Sequence, residues 1–182
     1  PIKFAPIDRA EEIIRNSGAV IKHDQVDRAF YRMSSDEIHL PDKSGFHTAE
    51  GYYSTLLHEL GHWTGHESRL NRKLGNMFGS SDYAREELRA ELASYMVSKE
   101  LSLPHDPGNH VSYVANWVSI LKETPKEILD AAHDSEKITK YVMAFEKSME
   151  KERTISVSKE MQSPEKRTTS SKKKKAVVGL ER

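Results

Sequence analysis

A helical period with two histidines set into it constrains this chain more than any other feature. Over residues 48 to about 64 the apolar side chains of Tyr52, Tyr53, Leu56, Leu57 and Leu60 recur at three- and four-residue spacing, which predicts an amphipathic helix with a broad buried face. His58 and His62 stand four apart in the segment His58-Glu59-Leu60-Gly61-His62, so both rings share one helical face and aim at a common point. Zinc bonds such nitrogens at about 2.0–2.1 Å, and Glu59 beside the first of them is placed to accept a proton from a zinc-bound water whose pKa falls toward about 7. A catalytic zinc takes three protein ligands and keeps one position open, so the fold must bring a further donor to this face from elsewhere in the chain.

The sequence contains no cysteine, which excludes disulfides and thiolate ligands and leaves His, Asp and Glu to hold any metal. Glu87 and Glu91 are four apart and share a helical face with Ala84, Ala90, Ser94 and Ser98, small residues that let this face approach the metal helix closely. Glu87 is assigned as the third ligand and Glu91 as the carboxylate that orients a ligand imidazole through its other nitrogen; the same geometry leaves the reverse assignment open. Glu86 reads as a solvated helix carboxylate. The other common scheme places a third histidine six residues past His62, where this chain has Ser68. His66 lies one turn past His62, but Gly65 interrupts the helix first and leaves His66 at the rim. Arg69 and Arg72 read equally as partners for an oxyanion or substrate carboxylate and as surface salt bridges. His110 and Tyr113 stay open between stabilising charge in the site and structural roles, Tyr113 with Trp117 having the spacing of a core pair. His23, His39, His47, His105 and His133 are isolated in sequence and default to surface or packing roles.

Asp8 is expected to cap a first short helix through Glu11, Ile13 and Ile14 that exits at Gly18. Residues 19–22, 29–33 and 37–40 carry β-branched and aromatic side chains and fit strands of a small sheet, the last halted by Pro41. A loop over 71–81 leads to a helix from about 82 to 101, ended by Pro104, and another helix starts near 109. Thr124-Pro125-Lys126-Glu127 has the pattern of a capping box and opens a last helix to about 151. The expected fold is α+β, a small sheet packed on helices as one domain over 1–151, followed by a disordered basic tail over 152–182 with no sustained periodicity.

The 28 basic and 28 acidic residues cancel, but 151–182 hold 10 Lys/Arg and 4 Asp/Glu, so the tail is +6 and residues 1–150 are −6. An acidic body argues against a folded surface built to grip phosphate, while the tail alone offers non-specific charge to nucleic acid. No apolar run approaches the roughly 18 residues that span a bilayer, so a soluble, cytoplasmic protein with no membrane partner is expected. The chain opens at Pro1 without an initiating Met, which points to further sequence upstream.

The run Tyr52-Tyr53-Ser54-Thr55-Leu56-Leu57-His58-Glu59-Leu60-Gly61-His62-Trp63-Thr64-Gly65-His66, followed by Ser68-Arg69-Leu70-Asn71-Arg72, resembles the C-terminal metallopeptidase domain of the ArdC antirestriction proteins and TraC-type plasmid primases. The likeness continues through Tyr83-Ala84-Arg85-Glu86-Glu87-Leu88-Arg89-Ala90-Glu91 and residues 110–121, covering roughly 7–148. It implies a zincin-like fold, a zinc site at His58, His62 and a Glu of the later helix, and a setting in plasmid proteins that protect incoming DNA from restriction. Single-stranded DNA binding in that family is associated with a separate N-terminal domain that this chain lacks, so DNA binding is not carried over to the folded body.

Two functions compete on these residues. In one, the domain is a zinc peptidase with a protein or peptide substrate, Glu59 carrying the proton. In the other, it is a zinc-containing binding module without catalysis that blocks a host restriction or defence protein or assists DNA transfer by contact. A weaker third reading has the Lys-rich tail at 172–175 bind DNA through charge alone.

Overall fold

Gly18 adopts φ 70, the left-handed conformation that ends helix α1 (Asp8–Ser17) and turns the chain into strand β1 (Val20–Gln25). The computed structural model describes residues 1–74, 79–104 and 111–161, with side chains over 1–74, 79–104 and 114–146. The start of α1 differs from the sequence expectation. Ile7 is the cap residue and Asp8 is already helical, because the Tyr53 hydroxyl reaches back to accept the Ile7 N–H at 3.1 Å. Asp8 still complements the positive end of the helix from its first turn.

Strands β2 (Phe30–Arg32) and β3 (Glu37–Pro41) join β1 in a sheet of order β1-β3-β2, with the central β3 parallel to β1 and antiparallel to β2. All three lie where strands were expected, with β1 carried on to Gln25 past an irregularity between Lys22 and Gln25. Ile38 and Leu40 on β3 are fully buried, and Pro41 ends the strand.

Helix α2 (Ala49–Trp63) starts where Thr48 Oγ1 accepts the Gly51 N–H at 3.1 Å. Its Tyr52, Tyr53, Leu56, Leu57 and Leu60 are all buried, each contributing about 1.5–3 kcal/mol by removal from water. One face packs on the sheet and the other on helix α3 (Ser81–Glu100), which Ser80 caps by accepting the Tyr83 N–H. The crossing is close because Gly61 meets Ala90: a Cβ added at Gly61 would stand 3.5 Å from the Ala90 Cα. Ala84, Ala90, Ser94 and Ser98 are buried along this face, as their size suggests. After α2 the chain folds into tight turns, and Gly65 sits there for room, since a side chain on it would press on Leu74 and Arg72.

Helix α4 (Val111–Glu123) leans on α3, and Trp117 Nε1 donates to the Ala84 carbonyl at 3.0 Å. Helix α5 (Glu127–Met161) packs on α1 and α3, setting Ile138, Val142 and Met143 in the same core as Ile13 and Leu56. Two expectations for α5 are corrected. Thr124–Lys126 form a turn, and Glu127 turns its carboxylate to Arg89 at 2.7 Å, drawn by a half-buried guanidinium. The helix also continues to Met161, past the end expected near 151, because no Gly or Pro interrupts the chain before Pro164. The start expected near 109 lies outside the described residues; of the disordered tail expected over 152–182, residues 152–161 are helical and 162–182 lie outside the described residues. Among the described residues no helix is long and apolar enough to cross a membrane.

Candidate metal centre

Successive turns of α2 present His58 and His62, and successive turns of α3 present Glu87 and Glu91 across the Gly61–Ala90 crossing. The Nε2 atoms of His58 and His62 are 3.2 Å apart. The Glu87 carboxylate closes a triangle with them, Oε2 standing 3.3 Å from His58 Nε2 and Oε1 3.3 Å from His62 Nε2. Behind the rings, Glu91 Oε2 lies 3.3 Å from His58 Nδ1 and Glu86 Oε1 lies 3.3 Å from His62 Nδ1. Each imidazole is thus gripped by carboxylates at both nitrogens. Fixing a ring this way fixes its tautomer and leaves Nε2 aimed at the shared point. His58, His62 and Glu87 form a candidate metal site.

Burial and charge act against each other here. Burial alone pulls the imidazoles down, but Glu87 and Glu91 overcome it and push His58 up to about 9, while Glu86 and Glu87 hold His62 well above its ordinary 6.5. Burial pushes Glu87 up, yet the two histidines hold it far below the usual carboxylate range. Glu59, buried next to them and bonded by the Tyr31 N–H, is raised by desolvation although His58 and His62 pull it down. Without an ion, protons on the imidazoles balance the carboxylates. A divalent cation replaces those protons.

Glu86 corrects the sequence reading. It is 8% exposed, not solvated, and accepts from Arg72 through both oxygens at 2.8 and 3.1 Å. Arg72 in turn donates to the Gly61 carbonyl at 2.7 Å and to Thr64 Oγ1 at 2.9 Å, so it is bound to the metal helix and closed to a substrate. No spacing rule links residues 72, 86 and 62; only the helix crossing brings them together. Arg69 is also engaged, stacked 3.8 Å over the Trp63 ring, donating to the Trp63 carbonyl and paired with Asp36. Both arginines follow the salt-bridge reading.

His66 bonds Ser68 Oγ at 2.8 Å in the turn after α2 and stands outside the donor set. His23 stacks on Tyr52 and bonds its hydroxyl at 3.0 Å, and His39 is buried against Asp24 at 2.9 Å, so both pack. His47 lies 3.5 Å from Lys3 Nζ and His133 is exposed. His105, His110 and the Tyr113 side chain lie outside the described residues.

A cleft of about 510 Å³ opens over the triad, with His58, Glu59, His62 and Glu87 at its floor and Phe30 and Tyr31 of β2 along one wall. The Tyr31 hydroxyl donates to Asp36 at 2.7 Å, tying this wall to Arg69 and the end of α2.

A histidine pair on a helix under a small sheet, faced by glutamates of a second helix, defines a zincin-like domain. Residues 8–134 match the family described as zincin-like metallopeptidase, and the chain belongs to that family. An Escherichia coli protein named DNA primase TraC is 55% identical over 151 residues, which is 83% of this chain and 14% of the primase. The Mn(II)-bound crystal structure of the antirestriction protein ArdC from plasmid R388 superposes with a TM-score of 0.72 at 35% identity, covering 78% of this chain and 53% of that one. Its metal-free structure gives 0.71 over 79% of this chain and 52% of that one. The chain therefore spans a small part of the primase and about half of ArdC.

Proposed function

We propose that this domain is a zinc-dependent peptidase within a plasmid-type antirestriction or DNA-transfer protein, acting on a protein or peptide substrate. The observation that carries the proposal is the spacing of the three donors. A tetrahedral ion with bonds of about 2.0–2.1 Å has ligand–ligand edges of roughly 3.3–3.4 Å; the two Nε2 atoms are 3.2 Å apart, and the Glu87 carboxylate straddles them with one oxygen 3.3 Å from each. Their nitrogen and carboxylate donors suit zinc, and ArdC, which shares this fold over about half its length, has a Mn(II)-bound crystal structure. Zinc bound there supplies Lewis acidity toward a peptide carbonyl and acidifies water.

The chain's own residues supply the rest. Glu91 and Glu86 hold the two rings in register. Glu59, kept proton-hungry by burial and oriented by the Tyr31 N–H, takes a proton at its carboxylate and returns it to the leaving amine. Host restriction or defence proteins are the substrates that fit the setting named for ArdC.

A second reading, a zinc-holding module acting by contact alone, is favoured by the names of the relatives, a primase and an antirestriction protein. Glu59→Gln separates the two. The peptidase reading expects one zinc per chain, an unchanged fold, hydrolysis down by about 10²–10⁴-fold and loss of protection in a DNA-transfer assay. Full protection by a metal-loaded Glu59→Gln protein would hand the function to the contact module.

A further inference from the structure

The β2 wall of the cleft carries charge that the fold leaves open. Arg9, Arg69, Arg72, Arg85 and Arg89 each face a carboxylate within the protein. Arg15 lies in the last turn of α1, where the carbonyl end of the helix attracts it. Arg28 and Arg32 differ. Among the described residues neither meets a carboxylate; Arg28 donates to Gln25 Oε1 at 3.2 Å, and both guanidiniums lie over the Phe30 ring, 5.6 and 5.3 Å from its centre. The nearby acids are otherwise committed, Asp24 to His39 and Glu37 to Lys22, and Asp27 on the cleft wall forms no ion pair with either guanidinium. In a body of net charge −6, two such cations side by side are an open electrostatic position.

The ring beneath them is held in place. Phe30 is the cross-strand partner of His39 and stacks on it at 4.8 Å and 17°, and His39 is buried and fixed by Asp24. Guanidiniums resting on an anchored ring lose little further freedom on binding, and their planar forks match a carboxylate in two-point contact. Arg28 lines the same cleft as the triad. Glu59, Glu86 and Glu87 at the floor are matched by its own imidazoles and by Arg72, so the cationic charge left open to an acidic ligand is that of the wall.

We propose that Arg28 and Arg32, mounted on Phe30, select peptides that carry a carboxylate side chain close to the bond presented at the metal centre. This rests on the peptidase reading for the chemistry but not for the binding, and the test keeps the two apart. Zinc-loaded Glu59→Gln protein is titrated by fluorescence anisotropy with a labelled decapeptide of alternating Glu and Ala and with its Gln-Ala counterpart. At low salt the Glu peptide is expected to bind about tenfold more tightly. The double substitution Arg28→Gln/Arg32→Gln is expected to bring that ratio to about one, and Arg28→Glu/Arg32→Glu to invert it. Equal affinity in the parent protein, or a preference that survives the double substitution, overturns the proposal. So does a 12-nucleotide oligo-dT that binds through the two arginines more tightly than the Glu peptide, which would make the wall a nucleic-acid contact. Charge-selective binding with no cleavage of any peptide by the Glu59 protein sinks the peptidase reading and leaves the wall's preference standing; cleavage indifferent to charge does the reverse.

Discussion

At the candidate metal centre, His58, His62 and Arg72 are each closed in against carboxylates, whereas beside β2 Arg28 and Arg32 lie over a phenyl ring and, among the described residues, meet none. The difference follows from solvent. A charge on the floor is cut off from water and must be neutralised inside the fold, so the floor is organised before any ligand arrives. A charge on the wall keeps its hydration and needs no internal partner, so it stays available to something outside. The floor belongs to the candidate metal centre, and the wall faces whatever enters.

If the floor is balanced by protons until metal replaces them, pH must move its two states in opposite directions, and this is the largest effect expected. Zinc binding displaces protons from His58, raised to about 9, and from His62, raised well above 6.5. Zinc affinity should therefore climb roughly ten- to a hundredfold per pH unit below pH 9, one factor of ten for each proton released. The metal-free fold runs the other way. A histidine raised in the folded state contributes stability that is fully present below its unfolded value near 6.5 and is lost as pH rises through about 9, so metal-free protein should become less stable between those limits. Chelator competition and urea unfolding across pH 6–9 measure both slopes. Parallel slopes would mean that the imidazoles are not the groups balancing the floor.

Breaking a buried pair is the next largest. Arg72→Ala leaves Glu86 buried beside Glu87 with only His62 to face it and should cost about 3 kcal/mol in urea unfolding of the metal-free protein. Arg72→Met with Glu86→Leu removes both charges and should recover most of that stability while weakening zinc, since His62 then lacks its partner at Nδ1. A mild loss for Arg72→Ala would place this pair with the solvated charges of the wall. Glu91→Gln is smaller. It keeps the shape and an acceptor but removes the charge facing His58 Nδ1, so zinc affinity should fall about 10–100-fold with the fold intact.

These residues also mark how far the sequence is readable. The helix that carries His58 and His62 was legible because its signal is local: one period sets the buried face, and the histidines fall on the opposite side four apart. The α3 face was legible through its small residues, which announce a close crossing before the crossing is seen. Glu86 was misread because it falls off that face and its partners come from residues 62 and 72, joined to it only by the tertiary path of the chain. His39 looked isolated for a similar reason, and its partner is Phe30. Their stacking depends on the β2–β3 register, which side-chain alternation within each strand does not set.

The smallest effect tests the wall's attachment to the floor. Asp36 occupies the β2–β3 turn at φ 54, accepts from Tyr31 and pairs with Arg69, which is itself laid over Trp63 at the end of α2. Asn tolerates this backbone conformation and keeps an acceptor, so Asp36→Asn isolates the charge. The Asp36 side chain is 37% exposed, and a pair screened to that degree is worth about 0.2–1 kcal/mol. The expected loss in urea unfolding lies in that range at low salt and shrinks at 1 M salt, where screening acts within about 3 Å. A loss that is larger and indifferent to salt would show that Asp36 behaves as the floor residues do. The boundary between buried and open charge would then lie at the outer edge of the wall, beyond Tyr31.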